Sequence, residues 1–377
     1  MQNDKKIFCF VTNLSFIKEP TVKNRLLPYI RQALKNKCSV ILISSDSEVF
    51  VDIESNLFTH ILHPWKKKQP SSFVNRTIFE WIETRNLLKK LKKIDTDFIV
   101  LTIPSMFLLF NAYLLKSKNI YLDVRDLTWE YLSNKSLLQG IAKAFFRILA
   151  NRSFKFFNSI VVSNEEEVTF FKKKGITALL YLNGVTIEQF RDLSSLPKKN
   201  DSHFTVTYVG KIGLAQNLVT LISVAEIIKD IKFNIIGYGS EYASLKKIVL
   251  SKGLSNISFY EYANWEEVLN FYQESDILYA QLQESFSSAM PSKLYQYLCT
   301  GRFVIYGGKN QAKKTLSNFS KNIVIPPDDI DKLVKTITKV RLLNDQNLDV
   351  NNNLEIIKKN YIREDNVRKI LELWLKF

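Results

Sequence analysis

The chain has 377 residues, 46% hydrophobic and 24% charged, a composition typical of a globular protein with more than one domain. Its formal net charge of +16 indicates anionic partners such as nucleic acid, lipid headgroups or nucleotide diphosphates, unless its many Lys, Asn and Ile residues reflect genome composition alone. No apolar run has the roughly 18 residues of a membrane span, and the start lacks a signal peptide's apolar core, which predicts a cytoplasmic protein.

Cysteine and histidine usage argues against metal chemistry. The three cysteines form no CxxC pair, and the three histidines include only one close pair, His60 and His63. That pair stands beside Pro64 in a segment that resembles a loop. We therefore expect no metal site, and neither a zinc enzyme nor a histidine-based hydrolase.

Strands and helices alternate through the first half of the chain. Five short apolar segments predict buried strands, KKIFCFVTNL, CSVILISSD, TDFIVLTIPS, NIYLDVRD and SIVVSN. Helical patterns lie between or after them, at Val22–Asn36 and Glu165–Lys174 for example. Fully apolar strands alternating with helices are typical of a parallel sheet that is covered on both faces, and such sheets bind ligands at the carboxyl ends of their strands. This predicts a first Rossmann-like domain over residues 1–190.

The same pattern restarts after a polar stretch, EQFRDLSSLPKKNDSHF, which predicts an interdomain linker. Six further apolar segments follow, beginning with FTVTYVG and ending with NIVIP, and predict a second domain over residues 203–360. The last 17 residues, 361–377, predict a helix that packs back on the first domain. The expected architecture is α/β, with two doubly wound domains facing a cleft.

Two segments of the first half are basic and amphipathic, Phe73–Ile94 and Leu137–Phe157. Residues 1–190 hold 28 Lys and Arg against 17 Asp and Glu, a net charge of +11, whereas residues 191–377 hold 25 against 20, a net of +5. Basic amphipathic helices of this kind lie on anionic membrane surfaces. The alternative is that both are ordinary helices with one face in the core.

Two glycine turns follow strands of the second half. The first contains Gly210, Lys211 and Gly213, and the second is Gly237-Tyr238-Gly239. Glycine allows a ligand to approach the backbone, and the helix that follows each turn offers free N–H groups to an anion. Either turn is equally compatible with a plain strand–helix connection.

A lysine at the predicted start of a helix gives the sharpest signal. Pro291 and Ser292 are helix-start residues, and the apolar pattern that follows ends at Gly301. Lys293 would thus lie in the first turn, where the helix dipole disfavours a cation. A phosphate bound by the dipole, Ser292 and Lys293 would resolve that conflict.

These segments together resemble the retaining glycosyltransferases of family 4, which have the GT-B fold, and in particular the fucosamine-transferase type of bacterial O-antigen and capsule assembly. The resemblance rests on GLAQ at 213–216, PSK at 291–293, Gly301, DVRDLTWE at 123–130 and YLNGVTIEQF at 181–190. It implies transfer of a hexosyl or N-acetylhexosaminyl group, with retention, from a UDP- or GDP-sugar to a lipid-linked or polysaccharide acceptor. It also implies an enzyme without a metal, on the inner face of the cell membrane.

The resemblance also implies a set of site residues. The donor set is Gly210, Lys211, Gly213, Gln216, Gly237, Tyr238, Gly239, Tyr262, Ala263, Glu284, Ser292, Lys293, Tyr295 and Gln296. The catalytic set is Arg125, Asp126 and Lys293. The acceptor set is Asn13, Arg25, Pro104 and Trp129.

The chain departs from the family pattern at several positions. Ser288 and Gln296 stand where the family has two glutamates, and Lys211 with Gln216 replaces a basic pair. A first-domain histidine of the family is absent, and Arg125 or Asp126 lies near its place.

Three other interpretations remain open. A scaffold with weak catalysis would explain the departures, and a nucleotide-sugar 2-epimerase would have the same fold. A nucleic-acid-binding protein would explain the charge, although no helix-turn-helix, zinc or RNA-binding signature is present.

Overall fold

A parallel sheet forms the centre of each half of the chain in the computed structural model. By their contacts the residues separate into a first unit, 1–182 with 363–377, and a second unit, 183–362. The structure describes residues 5–65, 70, 72–103, 105–115, 118–125, 127, 137–200, 202–286, 290–343 and 351–376. No helix in these ranges is long and apolar enough to cross a bilayer.

The first unit is built around seven parallel strands in the described residues, in the order β3-β2-β1-β4-β5-β6-β7. Alternate residues of β1 enter different clusters, Phe8 and Phe10 on one face and Cys9 and Val11 on the other, so both sheet faces are covered. The elements are β1 Ile7–Val11, α1 Pro20–Lys35, β2 Ser39–Ser44, β3 Phe58–Leu62, α2 Phe73–Leu91, β4 Phe98–Ile103, α3 Met106–Phe110, β5 Ile120–Val124, α4 Leu137–Ser153, β6 Ser159–Val162, α5 Glu165–Lys172 and β7 Ala178–Leu180.

The second unit repeats the plan with six parallel strands in the described residues, in the order β10-β9-β8-β11-β12-β13. Its elements are α6 Ile187–Ser194, β8 Thr205–Val209, α7 Val219–Ile227, β9 Lys232–Ile236, α8 Tyr242–Ser251, β10 Ile257–Tyr260, α9 Trp265–Gln273, β11 Ile277–Gln281, α10 Lys293–Cys299, β12 Phe303–Gly307, α11 Asn310–Leu316, β13 Asn322–Ile325, α12 Ile330–Leu342 and α13 Asn351–Asn360. The prediction of two α/β domains with parallel sheets is confirmed.

The last helix, α14 (Arg363–Trp374), belongs to the first unit and packs along α1. Trp374 is buried there, stacked on Tyr29 at 5.7 Å and close to Tyr121 at 4.5 Å between ring centroids. The two residues before α14, Tyr361 and Ile362, lie in the second unit, so the chain crosses between units two residues later than the predicted start of this segment.

The predicted interdomain linker is wrong. Most of its first half is helix α6, capped by a reciprocal pair of bonds between Thr186 and Gln189, and it belongs to the second unit. Leu193 is fully buried in the core of that unit. Phe190 packs against the same core, and the capping box fixes the start of the helix. The polar residues between these apolar side chains gave the segment the composition of a linker.

The loop predicted around His60 is also wrong, because His60 lies in the edge strand β3. Its Nε2 lies 2.7 Å from Ser44 Oγ, and its Nδ1 accepts the Phe50 N–H at 3.0 Å. Both ring nitrogens thus take part in the packing of the first unit. The edge position explains the miss, because an edge strand tolerates the polar residues that obscured its pattern.

Candidate functional site

Two glycine turns of the second unit lie backbone against backbone at the carboxyl ends of β8 and β9. Gly210, Gly237 and Gly239 have φ of +140°, +140° and +154°, values that favour glycine. A Cβ on Gly237 would stand 1.9 Å from the carbonyl oxygen of Gly210, and one on Gly239 would stand 2.0 Å from that of Ile212. Their glycines therefore allow the two turns to form one exposed backbone surface.

Lys293 brings a cation to this surface. Its Nζ donates to the Tyr208 hydroxyl at 2.6 Å and lies 3.9 Å from the centre of the Tyr208 ring. A Cβ on Gly210 would be 2.5 Å from Nζ, so the ammonium occupies the space that this glycine leaves. Burial lowers the pKa of Lys293 to about 7. Within the described residues the ammonium bonds a phenol and forms no ion pair.

The start of α10 differs from the sequence expectation in detail. The helix has seven residues and begins at Lys293, with Ser292 as its N-cap. Ser292 has helical backbone angles, φ −60° and ψ −27°, and its hydroxyl makes no capping bond. The Lys293 side chain extends to the first glycine turn. The cation therefore lies at the glycine surface, and the Ser292 hydroxyl leaves the helix start uncapped.

A buried glutamine that sequence reasoning missed supports the first glycine turn. Gln281, at the end of β11, donates to the carbonyl oxygens of Gln216 and Asn217, both at 3.1 Å, and to Asp328 Oδ1 at 2.8 Å. It accepts the Tyr279 hydroxyl at 2.8 Å. An amide at the end of a fully buried strand was the available signal, because such a group must find partners. Gln216 contributes a backbone carbonyl here.

The two predicted ribose contacts differ in exposure. Tyr295 is only 2% exposed and lies against Tyr361, 4.5 Å between ring centroids, so it packs the core and is corrected from a donor contact. Gln296 is partly exposed, and its Oε1 accepts the Tyr272 hydroxyl at 3.3 Å. Glu284 is exposed and pairs with Lys309 at 2.7 Å. Ser288 lies outside the described residues.

Two exposed aromatic side chains lie at the carboxyl ends of neighbouring strands. Tyr238 follows β9 between the two glycines and is 47% exposed, and Tyr262 follows β10 and is 79% exposed. Ala263 is partly buried against the core. Lys211 is exposed on the first turn. The carboxyl edge of the second sheet thus carries two glycine turns, two lysines and two exposed aromatic side chains.

In the first unit, Arg25 is not available to a ligand, which corrects its predicted acceptor role. It is 1% exposed and pairs with the fully buried Asp123, with Nη2 and Oδ1 at 2.7 Å. Its Nη1 donates to the Tyr181 carbonyl at 2.6 Å, and its guanidinium lies 3.6 Å from the Tyr181 ring centre. All these groups come from the first unit, where the pair is part of the core.

The other first-unit residues lie at strand ends where they are described. Asn13 follows β1 and is 4% exposed, and its side-chain oxygen has no hydrogen-bond partner among the described residues. Arg125 directly follows β5, and its N–H donates to the Ile103 carbonyl at 3.2 Å. Because β1, β4 and β5 are neighbours in the sheet, both residues belong to the same edge. Pro104, Asp126 and Trp129 lie outside the described residues.

The amino-acid sequence matches a family model and a curated protein over part of its length. Residues 190–360 match the family model described as Glycosyl transferases group 1. The putative colanic acid biosynthesis glycosyl transferase WcaI of Escherichia coli (strain K12) is 25% identical over 187 residues, 47% of this chain and 45% of that protein. The chain thus spans less than half the length of the curated relative that it matches.

Several solved structures match along nearly the whole chain. Sucrose-phosphate synthase from Thermosynechococcus elongatus has a TM-score of 0.77 at 13% identity, covering 99% of both chains. HepE from Anabaena, in complex with UDP and glucose, has a TM-score of 0.70 at 12% identity, covering 98% of this chain and 99% of that one. Residues 190–360 thus match the group 1 glycosyl transferases in sequence, and the chain has the GT-B fold of two parallel-sheet α/β units.

Proposed function

We propose that this protein is a glycosyltransferase that moves a sugar from a UDP- or GDP-sugar to an acceptor, with retention of configuration. The observation that carries the proposal is the Lys293 ammonium, held against Gly210 with a phenol as its bonding partner. A cation that is desolvated without a counter-ion is poised for an anionic ligand. The diphosphate of a nucleotide sugar supplies that anion.

In this proposal the leaving diphosphate is stabilised by fixed donors. Lys293, Lys211 and Ser292, with the N–H groups after Gly210 and Gly239, face the negative charge that develops as the glycosidic bond breaks. Gln296 contacts the ribose, and Tyr238, Tyr262 and Ala263 line the place of the base. These groups make a metal ion unnecessary. On the first unit, Asn13 contacts the acceptor. The family resemblance gives Pro104 and Trp129 the same role, and it gives Arg125 and Asp126 a catalytic one.

Two relatives support this donor and a place in surface polysaccharide synthesis. HepE is solved with UDP-glucose, and the WcaI protein is named for colanic acid biosynthesis. We therefore propose a lipid-linked or polysaccharide acceptor, in O-antigen or capsule assembly of the fucosamine-transferase type. A scaffold with weak catalysis and a 2-epimerase are the alternatives that the experiment below separates.

The first experiment measures donor binding. We expect one of UDP-, GDP- or ADP-glucose to raise the melting temperature of the protein. Lys293→Ala should lower the affinity for that ligand about 10- to 100-fold, which corresponds to the loss of hydrogen bonds to a charged group. Lys247→Ala, an exposed lysine of α8, is the matched control and should bind as wild type. Failure of all three ligands to bind would favour the scaffold, and conversion of the bound sugar nucleotide without an acceptor would favour the epimerase.

We also propose that the first unit lies on an anionic membrane surface. Val74, Ile78 and Ile82 form an exposed row on α2, and Ile141, Phe145 and Ile148 form one on α4, all between 48% and 61% exposed. These spacings place each row on one helix face. The buried helix α3 contacts both α2 and α4, so the two rows belong to helices on the same side of the sheet.

Basic residues continue both rows. Lys89 follows the row on α2, Arg152 follows the row on α4, and both side chains are exposed. The described residues place no acidic partner beside either of them. An apolar row that ends in unpaired positive charge fits the interface of an anionic bilayer, where the apolar side chains enter the headgroup boundary.

Vesicle flotation tests this membrane surface. We expect wild type to float with phosphatidylglycerol vesicles and much less with phosphatidylcholine vesicles. Ile78→Ser with Phe145→Ser should lower binding by roughly tenfold for each apolar side chain lost. Leu250→Ser, which changes a 72% exposed leucine of the second unit, is the matched control. Equal flotation of the double variant and the control variant would contradict the assignment.

A further inference from the structure

The Tyr208 hydroxyl joins two parts of the site that come from distant segments. It donates to the Lys211 carbonyl at 2.5 Å, and its oxygen accepts from Lys293 Nζ at 2.6 Å. The first partner lies in the glycine turn after β8, and the second is the first residue of α10. One fully buried phenol therefore fixes the turn and the ammonium relative to each other.

A second tyrosine fixes the helix that carries Lys293. Tyr297 lies one turn later on the same face of α10, and its hydroxyl accepts the Val209 N–H at 3.0 Å and lies 3.2 Å from the Val209 carbonyl oxygen. The end of β8 and the start of α10 are thus joined at two successive residues, Tyr208 and Val209. Because Tyr297 holds the helix, the conformational freedom that remains at the site is that of the long Lys293 side chain.

We propose that Tyr208 is a positioning residue, which holds the Lys293 ammonium over Gly210 so that it meets the donor diphosphate without first being ordered. The proposal rests on the proposed function. A lysine side chain loses up to about 2 kcal/mol of rotamer freedom when it is immobilised. Tyr208 restricts that freedom before the ligand arrives, through its ring face and its hydroxyl oxygen.

The hydroxyl also favours the charged form of the lysine. Burial raises the pKa of Tyr208 well above its usual value, so the phenol keeps its proton and uses it on the Lys211 carbonyl. Its oxygen is then left to accept from the ammonium, which offsets part of the desolvation that lowers the pKa of Lys293 to about 7. The neighbouring phenol of Tyr297, whose pKa burial also raises, does not titrate in this range.

The test follows UDP-glucose binding, or that of the preferred sugar nucleotide, from pH 6 to pH 9. Because only protonated Lys293 attracts the diphosphate, wild-type affinity should fall as pH rises through about 7. Tyr208→Phe keeps the ring and removes the acceptor. We expect it to weaken binding about 3- to 10-fold at pH 7 and to move the fall in affinity to lower pH. A purely structural role would lower the melting temperature without moving this profile.

Tyr306→Phe is the matched control, because Tyr306 is a fully buried tyrosine of the same sheet whose hydroxyl has no partner among the described residues. Wild-type binding and pH profile in Tyr208→Phe, with weak binding in Lys293→Ala, would overturn this inference alone. Wild-type binding in Lys293→Ala would overturn the proposed function as well. If Tyr208→Phe does not fold, the pH dependence of Lys293 acetylation in the wild-type protein tests the inference instead. Half-maximal labelling near pH 10, close to the usual pKa of lysine, would mean that the Lys293 side chain is not held in its buried position, and would overturn the inference.

Discussion

Arg25→Met is expected to lower the free energy of unfolding of the first unit by about 3–5 kcal/mol. The substitution leaves Asp123 fully buried without the guanidinium that pairs with it, and it also removes the bond to the Tyr181 carbonyl. An uncompensated buried carboxylate costs far more than the lost volume of the side chain. Urea unfolding followed by tryptophan fluorescence measures the change, and Trp374, which packs on Tyr29 beside the pair, contributes to that signal.

A double variant, Arg25→Met with Asp123→Leu, should recover most of the loss, because it removes the stranded charge along with its partner. Lys23→Met is the control for a surface pair, since Lys23 and Asp52 are partly exposed and should contribute no more than about 1 kcal/mol. If Arg25→Met lowers the free energy of unfolding no more than Lys23→Met does, the pair of Arg25 and Asp123 does not stabilise the core of the first unit. Unchanged stability would return Arg25 to the candidate acceptor contacts.

Gly237→Ala is expected to destabilise the second unit by about 2–5 kcal/mol and to abolish donor binding. The new Cβ would lie 1.9 Å from the Gly210 carbonyl oxygen, so one turn must move away from the other. A φ of +140° adds backbone strain. Strained backbone and overpacking each cost about 1–3 kcal/mol. Unfolding in urea and binding of the preferred sugar nucleotide are the two measurements.

Gly253→Ala separates the two causes, because Gly253 also has a positive φ, +60°, but its Cβ would meet no atom within 4 Å. It should cost only about 1–2 kcal/mol and leave donor binding unchanged. Equal losses in the two variants would mean that the glycine turns do not depend on backbone contact. A Gly237→Ala protein that binds donor normally would place the diphosphate elsewhere.

The repeated alternation of strands and helices could be predicted from the sequence because it depends on residues that are close together in the chain. A strand that is covered on both faces is apolar at nearly every position. FIVLTI, at Phe98–Ile103, has five apolar residues out of six and shows this without knowledge of its neighbours. Helix α6 and strand β3 were missed because polar residues interrupt their short apolar patterns, and packing against distant segments decides their state. The first half of the predicted linker therefore had the composition of a linker, although residues 187–194 form a docked helix.

The residues of the candidate site likewise fall into those that a local sequence pattern indicated and those that depend on distant contacts. Gly210, Gly237, Gly239 and Lys293 were identified from sequence, because glycine after a strand and lysine at a helix start each break a local preference. Arg25 and Tyr295 were assigned to ligands and lie in the core, since a polar side chain's partner comes from a distant segment, as Asp123 does for Arg25. Gln281 carried one local signal, an amide at the end of a buried strand, which was not used, and Tyr208 carried none.

The sequence by itself determined the class of fold, the carboxyl edge of the second sheet and the positively charged turn that the donor proposal uses. These follow from backbone preferences and hydrophobic periodicity, which act over a few residues. Only the tertiary structure decided that Lys293 meets Tyr208 across 85 positions of the chain, and that Arg25 is neutralised inside the first unit. The charge state and availability of a side chain depend on groups that folding brings together, and no local pattern encodes them.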